Sequence, residues 1–126
     1  MIAGVGSDVV ELSRFTSFGE KDALLAEVLT PREIQALPRD AAKDSHVATT
    51  FAIKEAFFKA LGTGVPDASF WHDIEITADR KVYLSGRLEL LARMKSLSAI
   101  HVTASRSSDT VYAFVVLESV NHEEVL

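Results

Sequence analysis

One predicted helix carries a carboxylate and a lysine at a spacing that could do chemistry. Glu55 and Lys59 are four residues apart on a narrow helical face of small residues, and Gly62-Thr63-Gly64 follows them. A charged carboxylate on an otherwise apolar helix is costly to bury without a partner. One interpretation is that Glu55 pairs with Lys59 across a helical turn, which is worth about 0.2–0.5 kcal/mol. The alternative is that Glu55 binds a cation, or a substrate anchored through one.

Asp8 is a second candidate carboxylate, from a distant part of the chain. We expect a short buried strand over residues 2–7 and a helix over residues 9–18, with Asp8 between them. The stretch Asp8-Val9-Val10-Glu11 fits a capping box, so one interpretation is that Asp8 only starts that helix. An aspartate at the end of a buried strand is also a common metal ligand, and this second interpretation stays open.

Asp8 and Glu55 together would suit a magnesium ion. Mg²⁺ takes few protein oxygens and keeps waters and substrate phosphates in its coordination shell. Lys59 beside such an ion would suit the charge of a phosphate. Gly62-Thr63-Gly64 could let the backbone approach a ligand, although a helix cap explains Gly62 equally well. The residue types therefore indicate a magnesium–phosphate site.

The helix that carries Glu55 is predicted over about residues 46–61, and it is the longest helical pattern in the chain. On a helical wheel its apolar side chains form two stripes. One stripe consists of Val47, Phe51, Phe58 and Leu61, and the other of Ile53, Ala56, Phe57 and Ala60. Because apolar residues surround nearly the whole helix, we expect it to be buried in the middle of the fold or between subunits.

The rest of the chain is predicted to form further helices and two hairpins. The helices are expected over residues 20–29, 30–38 and 86–97, the second opened by a Thr30–Glu33 capping box. The hairpins are expected at residues 73–85, turning at 78–80, and at residues 100–118, turning at 107–109. Residues 65–72 are expected to be a loop and residues 119–126 to be frayed. These elements predict an α+β fold with mostly antiparallel strands.

Composition limits the possible functions. A chain of 126 residues with 48% hydrophobic residues fits one domain, residues 1–126, with a real core. A net charge of -5 is unsuited to binding nucleic acid. The absence of cysteine excludes disulfides, thiolate nucleophiles and cysteine zinc sites. Without a secretory pattern or a long apolar run, we expect a cytoplasmic protein with no membrane partner.

The exact residues resemble one family over nearly the whole chain. Gly4-Val5-Gly6-Ser7-Asp8-Val9-Val10-Glu11 with Arg14 resembles the opening of holo-acyl-carrier-protein synthases. Residues 51–64, Phe51-Ala52-Ile53-Lys54-Glu55-Ala56-Phe57-Phe58-Lys59-Ala60-Leu61-Gly62-Thr63-Gly64, look like the central signature of that family. Residues 71–76, 101–103 and 113–118 resemble its later strands, with weaker specificity.

The resemblance implies a phosphopantetheinyl transferase-like fold, an antiparallel sheet packed with a long central helix. It implies transfer of 4'-phosphopantetheine from coenzyme A to a serine of an acyl carrier protein, as in fatty acid biosynthesis, with release of 3',5'-ADP. It further implies Mg²⁺ bound by Asp8 and Glu55, a phosphate contact at Lys59, and carrier docking near Arg14 and Lys21. Members of the family are typically homotrimers with active sites between subunits.

The remaining contacts to coenzyme A are expected at Gly62-Thr63-Gly64 and Arg106. Here the chain departs from the family pattern, because Thr49-Thr50-Phe51 replaces Gly-Arg-Phe and Ser105-Arg106 replaces Ser-His. The Gly-Lys-Pro of the first hairpin is reduced to Arg80-Lys81. Arg106 could replace a lost cation, since a guanidinium binds phosphate well, or it could be a solvated hairpin residue. The alternative function is a degenerate relative that binds carrier protein or nucleotide without turnover.

Overall fold

The computed structural model describes residues 1–16, 21–63 and 68–120. Its first half contains β1 (Ile2–Glu11), α1 (Ser13–Thr16), α2 (Lys21–Val28), α3 (Pro31–Gln35) and α4 (Lys43–Leu61). Its second half contains a 3₁₀ helix (Ala68–Asp73), β2 (Ile74–Ile76), β3 (Val82–Leu84), α5 (Gly86–Met94), β4 (Leu97–Ser107) and β5 (Thr110–Ser119). Helices and antiparallel strands occur together, so the α+β expectation is confirmed.

An antiparallel sheet provides the layer against which α4 packs. Among the described residues its strand order is β1-β5-β4, and β2 pairs with β3 in a separate hairpin. Along β1, burial alternates, with Gly6, Asp8 and Val10 facing inward. The inward face of β5 is apolar, and it includes Val111, Ala113, Val115 and Leu117. Strand register thus places Asp8 on the face that meets α4.

Helix α4 lies in the middle of the fold, as its apolar surface predicted. Both predicted stripes are buried, and its contacts are mainly with β1 and β5. The helix ends at Gly62, whose φ of 80° is the left-handed conformation expected of a glycine cap. Among the described residues no helix is long and apolar enough to cross a membrane.

The predicted boundary between β1 and the next helix is wrong. Strand β1 continues to Glu11, because Val9, Val10 and Glu11 pair with Tyr112, Val111 and Thr110 of β5. Asp8 is therefore an interior strand residue, and the capping-box interpretation fails. The helix that follows is described only at Ser13–Thr16, while the remainder of its predicted range falls partly outside the described residues.

Other boundaries differ because of long-range pairing. Leu97 was expected to end a helix, but it begins β4 and pairs with Ser119, which is buried in β5 rather than frayed. The predicted loop at residues 65–72 is a 3₁₀ helix from Ala68 onward, and its earlier residues lie outside the described part. Both predicted hairpins and the Thr30–Glu33 capping box are confirmed.

Candidate active site

Two glycines allow β1 to lie directly against the backbone of α4. A Cβ atom added to Gly4 would stand 2.0 Å from the carbonyl oxygen of Ala60, and one added to Gly6 would stand 2.0 Å from that of Ala56. No side chain fits at such distances, so glycine is required at both positions. Asp8, two residues beyond Gly6, has the same inward direction. The close packing therefore brings its carboxylate to the helix that carries Glu55.

The carboxylate of Asp8 is buried and only partly satisfied. Lys59 Nζ donates to Asp8 Oδ1 at 2.9 Å and to the carbonyl oxygen of Ser7 at 3.1 Å. Asp8 Oδ2 is also buried, and no N–H or hydroxyl group within the described part of the chain donates to it. Lys59 thus pairs with Asp8 on the neighbouring strand, and the simple Glu55–Lys59 pair considered from the sequence is not the arrangement observed.

Glu55 stands in an environment that disfavours its charge. Burial is the largest cause, and a side-chain hydrogen bond to Asp8 and the negative charge of Asp8 add to it, so that the pKa of Glu55 is raised to about 7. The positive charges of Lys59 and Arg14 oppose that rise in pKa. When both carboxyl groups are ionised their charges repel each other, and a cation bound by both would relieve that repulsion.

The carboxylate oxygens of Asp8 and Glu55 fit a magnesium ion. No group of three or more His, Cys, Asp or Glu side chains with metal-binding geometry occurs in residues 1–16, 21–63 and 68–120. Two carboxylates, one with a buried oxygen that receives no N–H or hydroxyl donor among the described residues, instead match an ion that keeps several waters and takes its other ligands from substrate phosphates. The chemistry of the site is therefore consistent with Mg²⁺ at Asp8 and Glu55.

Arg14 lies at the edge of this carboxylate pair. Its guanidinium carbon is 5.4 Å from the ring centre of Phe51 and 5.9 Å from that of Phe15, which are cation–π distances. The side chain remains exposed, and its charge lowers the pKa of Glu55. Arg14 therefore offers a solvent-facing cation beside the site.

The structure describes only part of the glycine-containing segment after α4, Gly62-Thr63-Gly64. The N–H group of Gly62 donates to the carbonyl oxygens of Phe58 and Lys59, both at 3.1 Å. A Cβ atom at Gly62 would meet nothing within 4 Å, so the left-handed φ, not close packing, favours glycine there. Thr63 is exposed. Gly64 lies outside the described residues, and the ligand-binding prediction for this segment stays a prediction.

A cleft lies beside Thr49 and Thr50, which stand where the family pattern has Gly-Arg. It has a volume of about 210 Å³, and its lining includes His46, Thr49, Thr50 and Arg80. Arg80 Nη1 donates to the carbonyl oxygen of Ala104 at 2.9 Å, which holds its guanidinium near the end of β4. Arg80 therefore places a cation at a cleft that contains Thr50.

Arg106, unlike Arg80, makes its hydrogen bond within its own hairpin turn. Its Nε donates to the carbonyl oxygen of Ser108 at 3.1 Å, within its own hairpin turn, and the side chain is exposed. This arrangement corresponds to the solvated-hairpin interpretation left open from the sequence. The proposed contact of Arg106 with coenzyme A stays a prediction.

A buried ion pair next to the site was missed in the sequence. Lys54 Nζ donates to Glu33 Oε1 at 2.7 Å and to the carbonyl oxygens of Val28 and Trp71 at 2.7 and 2.9 Å. Burial lowers the pKa of Lys54, while the charge and hydrogen bond of Glu33 oppose that change. One signal was available, because the helical wheel places Lys54 in the centre of the stripe formed by Val47, Phe51, Phe58 and Leu61. A lysine at that position must have buried partners.

Comparison with known proteins identifies relatives that align with nearly the whole chain. A family model described as the 4'-phosphopantetheinyl transferase superfamily matches residues 4–115. A holo-[acyl-carrier-protein] synthase of Geobacter sp. (strain M21) is 39% identical over 124 residues, covering 94% of this chain and 99% of that protein. The range matched by the family model includes helix α4 and strand β1 from Gly4 onward.

Solved structures of such synthases have the same fold. The holo-[acyl-carrier-protein] synthase of Neisseria meningitidis superposes with a TM-score of 0.80 at 34% identity, covering 94% of this chain and all of that chain. The synthase of Bacillus anthracis str. Ames, in complex with CoA (3',5'-ADP), superposes with a TM-score of 0.75 at 30% identity, covering 94% of this chain and 98% of that one. The predicted antiparallel sheet packed with a long helix is confirmed.

Proposed function

The chain belongs to the 4'-phosphopantetheinyl transferase superfamily, and we propose that it converts an apo acyl carrier protein into its holo form. The 4'-phosphopantetheine group of coenzyme A is the part transferred. The oxygen of a carrier serine forms a bond to the phosphorus next to the pantetheine, and the bond from that phosphorus to the bridging oxygen breaks. The serine proton is released, and 3',5'-ADP leaves. A relative that binds coenzyme A supports this choice of donor.

The observation that carries the proposal is the carboxylate pair on β1 and α4. Asp8 has a buried oxygen that receives no N–H or hydroxyl donor among the described residues, and the pKa of the neighbouring Glu55 is raised. We assign these two side chains as the protein ligands of Mg²⁺. When bound there, Mg²⁺ would neutralise charge that develops on the pyrophosphate during transfer. Lys59 is close enough to Asp8 to contact the same phosphates.

The acyl carrier protein would approach from the side of Arg14. That guanidinium is exposed, and it lies near Glu55, so a carrier bound there would have its serine close to the carboxylate pair. A cation at this edge would attract an acidic carrier surface. Lys21 was predicted to assist, but its side chain lies outside the described part of the structure.

The exposed face of the sheet supports assembly into a homotrimer. Val5 and Val9 on β1 are 61% and 58% exposed, and Phe114 on β5 is 50% exposed. Ser7 of β1 pairs with Phe114, so these apolar side chains lie on one surface. A contiguous apolar surface of this kind favours contact with another subunit. Since α4 is buried within the protomer, we assign the subunit contact to the sheet instead of the helix.

One assay tests the transferase directly. The protein is incubated with apo carrier protein, coenzyme A and Mg²⁺, and the carrier is examined by mass spectrometry for the phosphopantetheine adduct. We expect the adduct with wild-type protein and its loss on chelation of the metal. Glu55→Gln should fold and yet give no adduct. Absence of the adduct with several carriers, including that of the host, would rule out the proposal.

Thr50 and Arg106 depart from the family pattern. The alternative function is therefore that of a relative that binds coenzyme A without turnover. Isothermal titration separates the two functions. Binding of coenzyme A with no adduct on any carrier would identify the degenerate relative, whereas binding accompanied by the adduct identifies the transferase.

A further inference from the structure

Lys59 occupies one oxygen of a proposed metal ligand. Its ammonium group lies 2.9 Å from Asp8 Oδ1, and no N–H or hydroxyl group among the described residues donates to the other carboxylate oxygen of Asp8. The negative charge of Asp8 is therefore already partly compensated by a side chain of the protein itself. A divalent cation arriving at Asp8 would meet that ammonium group.

The two lysines of the central helix differ in how firmly they are held. Lys54 is fully buried and has three oxygen acceptors from three separate segments. Lys59 has a side chain that is 47% exposed, and its acceptors among the described residues are one carboxylate oxygen and one carbonyl oxygen of adjacent residues. A half-exposed lysine can swing its long side chain into solvent at little cost. Lys59 can consequently leave Asp8 while Lys54 stays in place.

We propose that Lys59 is an exchangeable counter-cation, which neutralises Asp8 in the metal-free protein and is displaced when a divalent cation binds. Displacement frees the ammonium group to contact the phosphates of coenzyme A, so metal loading prepares Lys59 for the donor substrate. The inference rests on the proposed metal site at Asp8 and Glu55. It adds that Lys59 competes with the metal before any substrate is present.

The competition predicts the direction in which metal affinity changes when Lys59 is replaced. Removing the ammonium group removes both a rival for Asp8 and a repulsive charge, so it should strengthen metal binding even though it weakens catalysis. Binding of Mn²⁺ to the full chain without coenzyme A can be followed by electron paramagnetic resonance. We expect Lys59→Met to bind Mn²⁺ about two- to fivefold more tightly than wild type, the effect expected for a partly exposed charge pair. Lys59→Arg, which keeps the charge, should resemble wild type.

Lys43→Met is the matched control for net charge. Lys43 begins the same helix, about 24 Å along the helix axis from Lys59. It should leave Mn²⁺ affinity unchanged. If Lys59→Met binds Mn²⁺ no more tightly than wild type while Asp8→Asn binds it more weakly, the exchange is overturned and the metal site survives. If Asp8→Asn binds Mn²⁺ as well as wild type, the metal site fails and the exchange fails with it.

Nuclear magnetic resonance of the lysine ammonium groups separates displacement from simple repulsion. On addition of Mg²⁺ without coenzyme A, the Lys59 ¹⁵N–¹H signal should shift and broaden, because the ammonium loses its acceptors and exchanges faster with water. The Lys54 signal should not move, since its three acceptors lie in the core. A Lys59 signal that is unchanged under Mg²⁺ saturation would overturn the displacement.

Discussion

Lys54 Nζ donates to Glu33 Oε1 at 2.7 Å, and the two side chains are 0% and 3% exposed. The pair joins α4 to α3 inside the core, one residue away from Glu55. Removing one member of a buried pair leaves the other charged and without compensation.

We expect Lys54→Met alone, or Glu33→Gln alone, to reduce the free energy of unfolding by about 3–5 kcal/mol. The double variant should be more stable than the sum of the two losses predicts, because no isolated charge remains. Urea denaturation of the four proteins provides the measurement. The exposed pair Arg93–Glu89, at 2.8 Å, is the matched control, and Arg93→Met should cost less than about 1 kcal/mol. Strictly additive losses for Lys54 and Glu33 would show that they do not interact.

Gly6→Ala tests the close approach of β1 to α4. The new methyl group would lie 2.0 Å from the carbonyl oxygen of Ala56, so strand and helix must separate. We expect a loss of at least about 1–3 kcal/mol in unfolding free energy, with weaker Mn²⁺ binding because Asp8 moves with the strand. Gly62→Ala is the comparison, since it meets no neighbour and is strained only by its φ of 80°. Thermal denaturation that left the Gly6 variant as stable as wild type would contradict the packing argument.

The stability of the metal-free protein should depend on pH through Glu55. Its pKa rises from 4.5 to about 7 on folding, so the folded state binds the proton more tightly. The resulting stabilisation is fully present below about pH 4.5 and is lost as the pH rises through about 7. Glu55→Gln should therefore raise the melting temperature relative to wild type at pH 8 and have little effect at pH 4.5.

At pH 8, Mg²⁺ should make wild type more stable than Glu55→Gln. It binds the ionised carboxylate, so wild type should gain stability from the metal while Glu55→Gln gains much less. Scanning calorimetry at several pH values, with and without Mg²⁺, tests both statements. Identical pH profiles for the two proteins would remove the raised pKa of Glu55 from the explanation.

Arg80 and Arg106 can be compared as partners of coenzyme A. Arg80 lines the cleft with Thr50, whereas Arg106 donates to the Ser108 carbonyl of its own turn. We expect Arg80→Met to raise the KM for coenzyme A about tenfold, as for loss of a charge-assisted hydrogen bond. Arg106→Met should raise it less. Steady-state kinetics with varied coenzyme A makes the measurement, and a larger effect at Arg106 would refute this assignment.

Local patterns predicted some of this structure well. The helix containing Glu55 was evident from its apolar periodicity, and the Thr30–Glu33 capping box was evident from its spacing, because both depend on residues close in sequence. Residue types suggested Asp8 and Glu55 as a possible pair of Mg²⁺ ligands, and the family resemblance added coenzyme A as the phosphate-bearing substrate.

What the sequence could not provide depends on distant partners. Asp8 was assigned to a strand end because nothing local shows that Val9 and Val10 pair with β5. The contact of Lys59 with Asp8 arises only when glycines let β1 approach α4. The ion pair between Lys54 and Glu33 was missed for the same reason, because the capping box with Thr30 already accounted for Glu33.

Glu33 also has a consequence for the dynamics of the fold. Its Oε1 accepts from the backbone N–H of Thr30 as well as from Lys54, and its Oε2 accepts from the backbone N–H of Ile76. One carboxylate thus links amides that are far apart in sequence. Hydrogen exchange at Thr30 and Ile76 should require the same opening event, so the start of α3 and strand β2 would behave as a single cooperative unit.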